Sequence, residues 1–192
     1  MDIVIEATHG LPMTVIDPTG DTILILSNRQ YRSLFRCSST ILVQNCGHFK
    51  KKLAPGGQPH KELTRDGTVY LTINEFEMNT VEIILNLVHG HVRNIPRNPR
   101  LPLLLDIARF CDYLQCLPTV KPFATSWIEN SKDSVLDCSA IKPDTNSWIF
   151  ISLVFRHQEV FRHTTSVTQQ CLDNRMDVRR GHPLVPKDII SK

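Results

Sequence analysis

Long hydrophobic runs are missing from this chain of 192 residues. The longest, residues 148–155, is about half of the roughly 18 apolar residues that a membrane-crossing helix needs. The first eight residues mix acidic and polar positions with no sustained apolar core, so no secretory signal is expected there. The six cysteines (37, 46, 111, 116, 138 and 171) form no paired framework. Without a secretory route, their thiols are expected to stay reduced in the cytoplasm or nucleus. A strong charge of one sign is also lacking. The 22 basic and 19 acidic residues leave a net +3, too mild to argue for nucleic acid. Nor is there a phosphate-cradling loop, because Gly56-Gly57 stands alone and follows no strand.

What is present is ordinary globular material, 41% hydrophobic and 21% charged. A chain of this length buries roughly 70% of the surface it exposes when unfolded, so it needs no staple to fold. Residues 1–20, interrupted by Pro12 and Pro18, read as a weakly structured lead-in. Thr19-Gly20 turns the chain into a β-branched and aliphatic strand at 21–26, and a second strand follows at 32–37. In that second strand Leu34 and Arg36 share one face, while Ser33, Phe35 and Cys37 share the other. The closeness of the two strands suggests an antiparallel pair. Ser38-Ser39 offers an N-cap for a helix ending near Asn45-Cys46-Gly47, with Gly47 suited to a left-handed C-terminal position. A second short helix, 48–53, sets Phe49 and Leu53 on one side and Lys50, Lys51 and Lys52 toward water. A third strand is expected at 69–73.

Helices then take over. Asn79 and Glu82 have the spacing of a capping box, and Val81, Ile84, Leu85 and Val88 form one apolar stripe that Gly90 ends. Residues 101–115 read as a mostly buried helix whose polar positions, Asp106, Arg109 and Asp112, lie on one ridge. The 81–88 and 101–114 helices are expected to back the sheet. Thr119 is placed to cap a further helix at 119–130, with Val120, Phe123, Ala124, Trp127 and Ile128 on one face. A polar linker at 131–146 precedes an apolar segment at 148–155 and an amphipathic one at 159–170, carried by Val160, Phe161 and Val167. Residues 172–192 read as a disordered tail. Strands first and helices afterward make the fold class α+β.

Sites for chemistry are scarce. Structural zinc takes four ligands in spaced pairs. Cys46-x-His48 is too tight for that, and Cys111 and Cys116 fall about 140° apart around an ideal helix. Buried core positions suit these cysteines better, so no metal or other cofactor is expected. Among them only Cys37, just before a capping pair, could reach thiolate form at a helix N-terminus. His89 and His91 flank Gly90 at a helix end, where imidazolium would meet free carbonyls. The basic residues form three separate groups, Lys50–Lys52, Arg93/Arg97/Arg100 and Arg175/Arg179/Arg180, without interleaved aromatics, so no nucleic-acid site is expected.

Several segments together carry a family pattern. D-T-I-L-I-L followed by F-R-C-S-S-T-I-L-V-Q-N-C-G-H-F-K-K-K-L resembles the opening of a BTB/POZ domain, with Ser38, Leu42, Phe49 and Leu53 in the signature places. The helix ending L-x-x-x-H-G at Leu85 and Gly90, and the helix carrying Ala108, Asp112, Tyr113 and Cys116, are similar to fungal BTB proteins. The resemblance extends to Trp127 and covers about residues 20–170. It implies a BTB/POZ domain over 21–130, a small three-stranded sheet flanked by a cluster of helices, and a helical C-terminal extension over 147–171. It also implies a non-catalytic scaffold or adaptor that binds other proteins or itself. Within that reading Lys50, Lys51, Lys52, Asp106, Arg109 and Asp112 are the candidate partner-facing residues. Many relatives are substrate adaptors for cullin ubiquitin ligases and carry a hydrophobic-x-Glu motif; the matching place here reads His60-Lys61-Glu62. Other relatives form a swapped dimer through an N-terminal amphipathic helix, a pattern that residues 1–20 lack. The remaining alternative is a small enzyme built on Cys37 or on the His89/His91 pair.

Overall fold

A computed structural model describes residues 10–28, 30–53, 62–63, 67–136 and 143–173. The motif at His60-Lys61, Cys138, the basic group at 175–180 and nearly all of the expected tail lie outside the described residues. The fold is mixed α and β. Strands β1 (Met13–Val15), β2 (Thr22–Ser27), β3 (Arg32–Cys37), β4 (Glu62–Leu63) and β5 (Val69–Asn74) form one sheet in the order β1-β3-β2-β5-β4. The helices are α1 (Ser39–Asn45), α2 (Gly47–Leu53), α3 (Met78–Val88), α4 (Leu101–Leu114), α5 (Leu117–Glu129), α6 (Lys132–Leu136), α7 (Thr145–Val154) and α8 (Gln158–Asp173). One compact unit holds the described residues up to Ile95 with Phe110–Val120. The other holds Pro96–Arg109 and the described residues from Lys121 onward.

The expected pair β2–β3 is antiparallel, with Leu24 opposite Phe35, and β5 joins β2 in parallel, with Leu71 beside Leu24. This register places Leu24, Leu26, Phe35, Cys37, Leu71 and Ile73 on one face, all buried. Ile23, Ile25 and Leu34 occupy the other face, packed with Leu11 and Tyr70. The sheet is larger than the three strands implied by the resemblance. Of its two added edges, β1 and β4, β1 lies within the expected lead-in, where it pairs in parallel with β3. Ile16 and Asp17 extend the pairing by donating their N–H groups to the Arg36 carbonyl, both at 3.0 Å. A three-residue strand with prolines nearby has no period to read; β3 supplies its structure.

The helix stripes follow the sequence pattern more closely than the helix ends do. Ser38 caps α1 as expected, its hydroxyl accepting from the Ile41 N–H at 3.4 Å. Val81, Ile84, Leu85 and Val88 are buried, and so are Ile83 and Leu87, so α3 is covered on most of its circumference. The Asn79–Glu82 capping box does not form. Helix α3 starts two residues earlier, with Glu77 at the N-cap, and the hydroxyl of Tyr31 accepts from the Met78 N–H at 2.7 Å. Thr119 is not a cap either. It lies inside α5 and donates its hydroxyl to Asn45 Oδ1 at 3.1 Å. Gly47 is not left-handed; it opens α2, and a Cβ there would fall 2.7 Å from Gln115 Oε1. The linker at 131–146 contains the short helix α6. In the second unit, α8 packs against α6 and α7, burying Val160, Thr164, Val167 and Thr168.

Candidate functional site

Helices α3, α4 and α7 end in the same motif, and the α4 copy sets where the candidate side chains lie. At Gly90 (φ 78°), Gln115 (φ 55°) and Arg156 (φ 55°) the chain turns left-handed. The next residue then donates back to the last turn: His91 N–H to Asn86 at 2.8 Å, Cys116 N–H to Cys111 at 3.2 Å, and His157 N–H to Ser152 at 2.8 Å. These are paired C-terminal closures of the Schellman type. The turn at Gln115 overturns the 140° separation expected for Cys111 and Cys116, because Cys116 leaves the helix and folds back over it. Its Sγ lies 3.8 Å from the Cys111 carbonyl and within hydrogen-bond reach of the Cys111 and Cys46 thiols. Those neighbouring thiols, together with burial, push the Cys116 thiol well above its ordinary range.

The same meeting of turns anchors an aromatic array. The Gly47 N–H donates to the Gln115 carbonyl at 3.3 Å, fixing the start of α2 against the end of α4. His48 then packs against Tyr113 at a tilt of 39°, with ring centroids 4.4 Å apart. Phe76, from the connection between β5 and α3, lies 5.2 Å from Tyr113 and 4.6 Å from Phe110. Phe110 and Phe49 are buried beneath, His48 and Phe76 are half-buried, and Tyr113 is 36% exposed. Burial pushes the His48 imidazole below its ordinary value, aided by Lys52 and Lys51, and pushes the Tyr113 phenol above its own. Met78, two residues beyond Phe76, is exposed as well.

Polar groups border this array. Lys50 and Lys51 are exposed and Lys52 is half-buried, with Lys51 Nζ donating to Gln115 Oε1 at 3.2 Å. On the Phe76 side, Ser27, Asn28, Gln30, Glu75 and Glu77 line an open cleft of about 490 Å³. Its described lining offers a hydroxyl, two amides and two carboxylates. One of these carboxylates, Glu77 Oε2, accepts from the Tyr31 hydroxyl at 3.2 Å.

Asp106, Arg109 and Asp112 lie three residues apart along α4, the spacing of the expected ridge. Arg109 pairs with the half-buried Asp106 at 3.4 Å, and Arg109 and Asp112 are exposed. Of the signature positions, Leu42, Phe49, Leu85, Ala108, Cys116 and Trp127 are buried core and Leu53 is half-buried. Trp127 also donates its indole N–H to the Pro96 carbonyl at 2.8 Å. Tyr113, expected in that core, stands at its surface instead. Its place in the last turn of α4 turns it outward against His48 and Phe76. Sequence spacing raises His48 only as a metal ligand and does not single out Phe76. The one available signal was aromatic residues at or beyond the ends of predicted elements, which have no regular spacing.

The described cysteines, Cys37, Cys46, Cys111 and Cys116, are all buried, whereas His91 is exposed. Burial drives the Cys37 thiol far above its ordinary range, with Asp17 and then Cys46 adding to the effect. Among the described residues no group of three or more His, Cys, Asp or Glu is placed to hold a metal ion. No described helix is long and apolar enough to cross a membrane. No family model and no curated protein matches the chain.

Proposed function

We propose that this chain is a non-catalytic protein-interaction module of the BTB/POZ type, nearest to the fungal form, and that it docks a partner on the aromatic array of its first unit. The observation that carries this reading is the row His48, Tyr113 and Phe76. It is partly open to solvent yet held from below by Phe49 and Phe110. Aromatic groups with fixed positions bury large areas at little entropic cost, and such residues dominate protein–protein hot spots. The order of strands and helices, and the burial of most signature residues, agree with the resemblance. The cysteine-enzyme alternative draws no support from Cys37, whose buried thiol is unsuited to supplying a thiolate near neutrality.

The test is affinity capture with the wild-type chain, with Tyr113→Ala, and with Arg162→Ala, an exposed change in the second unit. A partner held through the array disappears with Tyr113→Ala and stays with Arg162→Ala. Capture profiles identical for all three would overturn the assignment of the surface. Adding a purified cullin N-terminal region to the same three proteins decides the adaptor reading. Binding that is sensitive to Tyr113→Ala supports it, and absence of binding removes it.

A further inference from the structure

We infer that His89 is a neutral, proton-sensitive latch that fastens the start of α1 to the end of α3. Its Nδ1 lies 2.9 Å from the Leu85 carbonyl, and its Nε2 lies 3.2 Å from the Ser38 backbone nitrogen. The chemistry of the partners fixes the proton. A carbonyl oxygen only accepts, so Nδ1 carries the hydrogen. A backbone N–H only donates, so Nε2 offers its lone pair. One species meets both demands, the neutral imidazole protonated at Nδ1. A second proton would place N–H against N–H and cancel the Ser38 contact, while the bond to Leu85 would survive.

The latch differs from the role that sequence gives this histidine, a charged group beside free helix carbonyls. It joins residues 51 apart in the chain. Its far end is the residue that caps α1, through the Ser38 hydroxyl to the Ile41 N–H. Ser39 is held separately: Asp21 accepts from its N–H at 2.7 Å and from its hydroxyl at 2.6 Å. Losing the His89 contact therefore loosens one of two ties at this helix start. The charged groups that act on His89 are Asp17, which favours its protonation, and His91, which opposes it. Burial opposes protonation more strongly than either acts. The latch belongs to the fold of the first unit and stands whether or not the aromatic array binds a partner.

Amide hydrogen exchange at Ser38 tests the latch on the full chain, compared at pH 7.5 and pH 5 after correction for intrinsic exchange. Wild-type protection should fall by about threefold to tenfold on acidification, as expected for one lost hydrogen bond. His91→Gln should show the same fall, and His89→Gln, whose amide does not titrate, should show none. Unchanged wild-type protection, or an equal fall in His89→Gln, would overturn the inference. Should His89→Gln fail to fold, ring nitrogen shifts of wild-type His89 at pH 7.5 give an independent reading. The Nδ1–H form is expected, and the Nε2–H form or imidazolium would refute it.

Discussion

Gly20→Ala should destabilise the protein, although general expectation points the other way. Replacing a turn glycine that does not need positive φ usually stabilises by about 0.4–1 kcal/mol, because the unfolded chain loses freedom. Gly20 has no positive φ. A Cβ on it, however, would run into the Cys37 carbonyl, 2.5 Å from the carbonyl carbon and 3.0 Å from the Asp17 oxygen. Both neighbours are backbone. Cys37 is the last residue of β3, and the Asp17 carbonyl accepts from the Gly20 N–H at 3.0 Å. The Gly20 carbonyl also accepts from Arg36 Nε at 2.9 Å. Neither neighbour can step aside without disturbing the sheet edge. Overpacking of this kind costs about 1–3 kcal/mol. Subtracting the unfolded-state gain from the upper part of that range leaves a net loss of about 2 kcal/mol. For a chain of this size that lowers the melting temperature by about 4–8 °C. Urea unfolding followed by circular dichroism reads the sign directly. A midpoint equal to or above the wild type would refute the close approach of Gly20 to β3.

Other parts of the structure give further expected outcomes. Leu104→Ala, at a position only 1% exposed, should cost about 2–5 kcal/mol, and an unchanged denaturant midpoint would contradict its burial. Stability should also fall in acid. Burial holds His48 and His89 below their ordinary values, so the unfolded chain takes up protons first. The stabilisation is full above about pH 6.5, the unfolded value, and is lost as pH falls through the lower folded values. Melting curves that do not change between pH 7.5 and pH 5 would count against it. Cys37, Cys46, Cys111 and Cys116 are free and buried, so a thiol reagent should modify them slowly in native buffer and completely in denaturant. Rapid native labelling of any of the four, mapped by mass spectrometry, would show that this core is open.

Sequence legibility divided along a physical line. Wherever one residue's fate depends on its neighbours within a turn or two, the pattern was readable: the stripe of Val81, Ile84, Leu85 and Val88, the Ser38 cap, the pairing faces of β2 and β3. Where a distant group decides, it was not. Nothing local says that Tyr31 will cap α3 from 47 residues away, or that β3 will order Met13–Val15 into a strand. Gly47 illustrates the ambiguity of a glycine after a helix, since left-handed backbone and close packing demand the same residue. Gln115 shows the converse, taking the left-handed turn without being glycine and so bringing Cys116 back to Cys111 and Cys46. The candidate surface suffered most, because exposure of Tyr113 depends on which way the end of α4 faces.

The docking role of the aromatic array is tested most directly by titrating a captured partner against wild-type protein and against Tyr113→Ala and Phe76→Ala, each checked for native circular dichroism. A docking surface centred on these rings should lose about 2 kcal/mol or more in at least one variant, roughly a thirtyfold weaker dissociation constant. Wild-type affinity in both variants, with the fold intact, would contradict it.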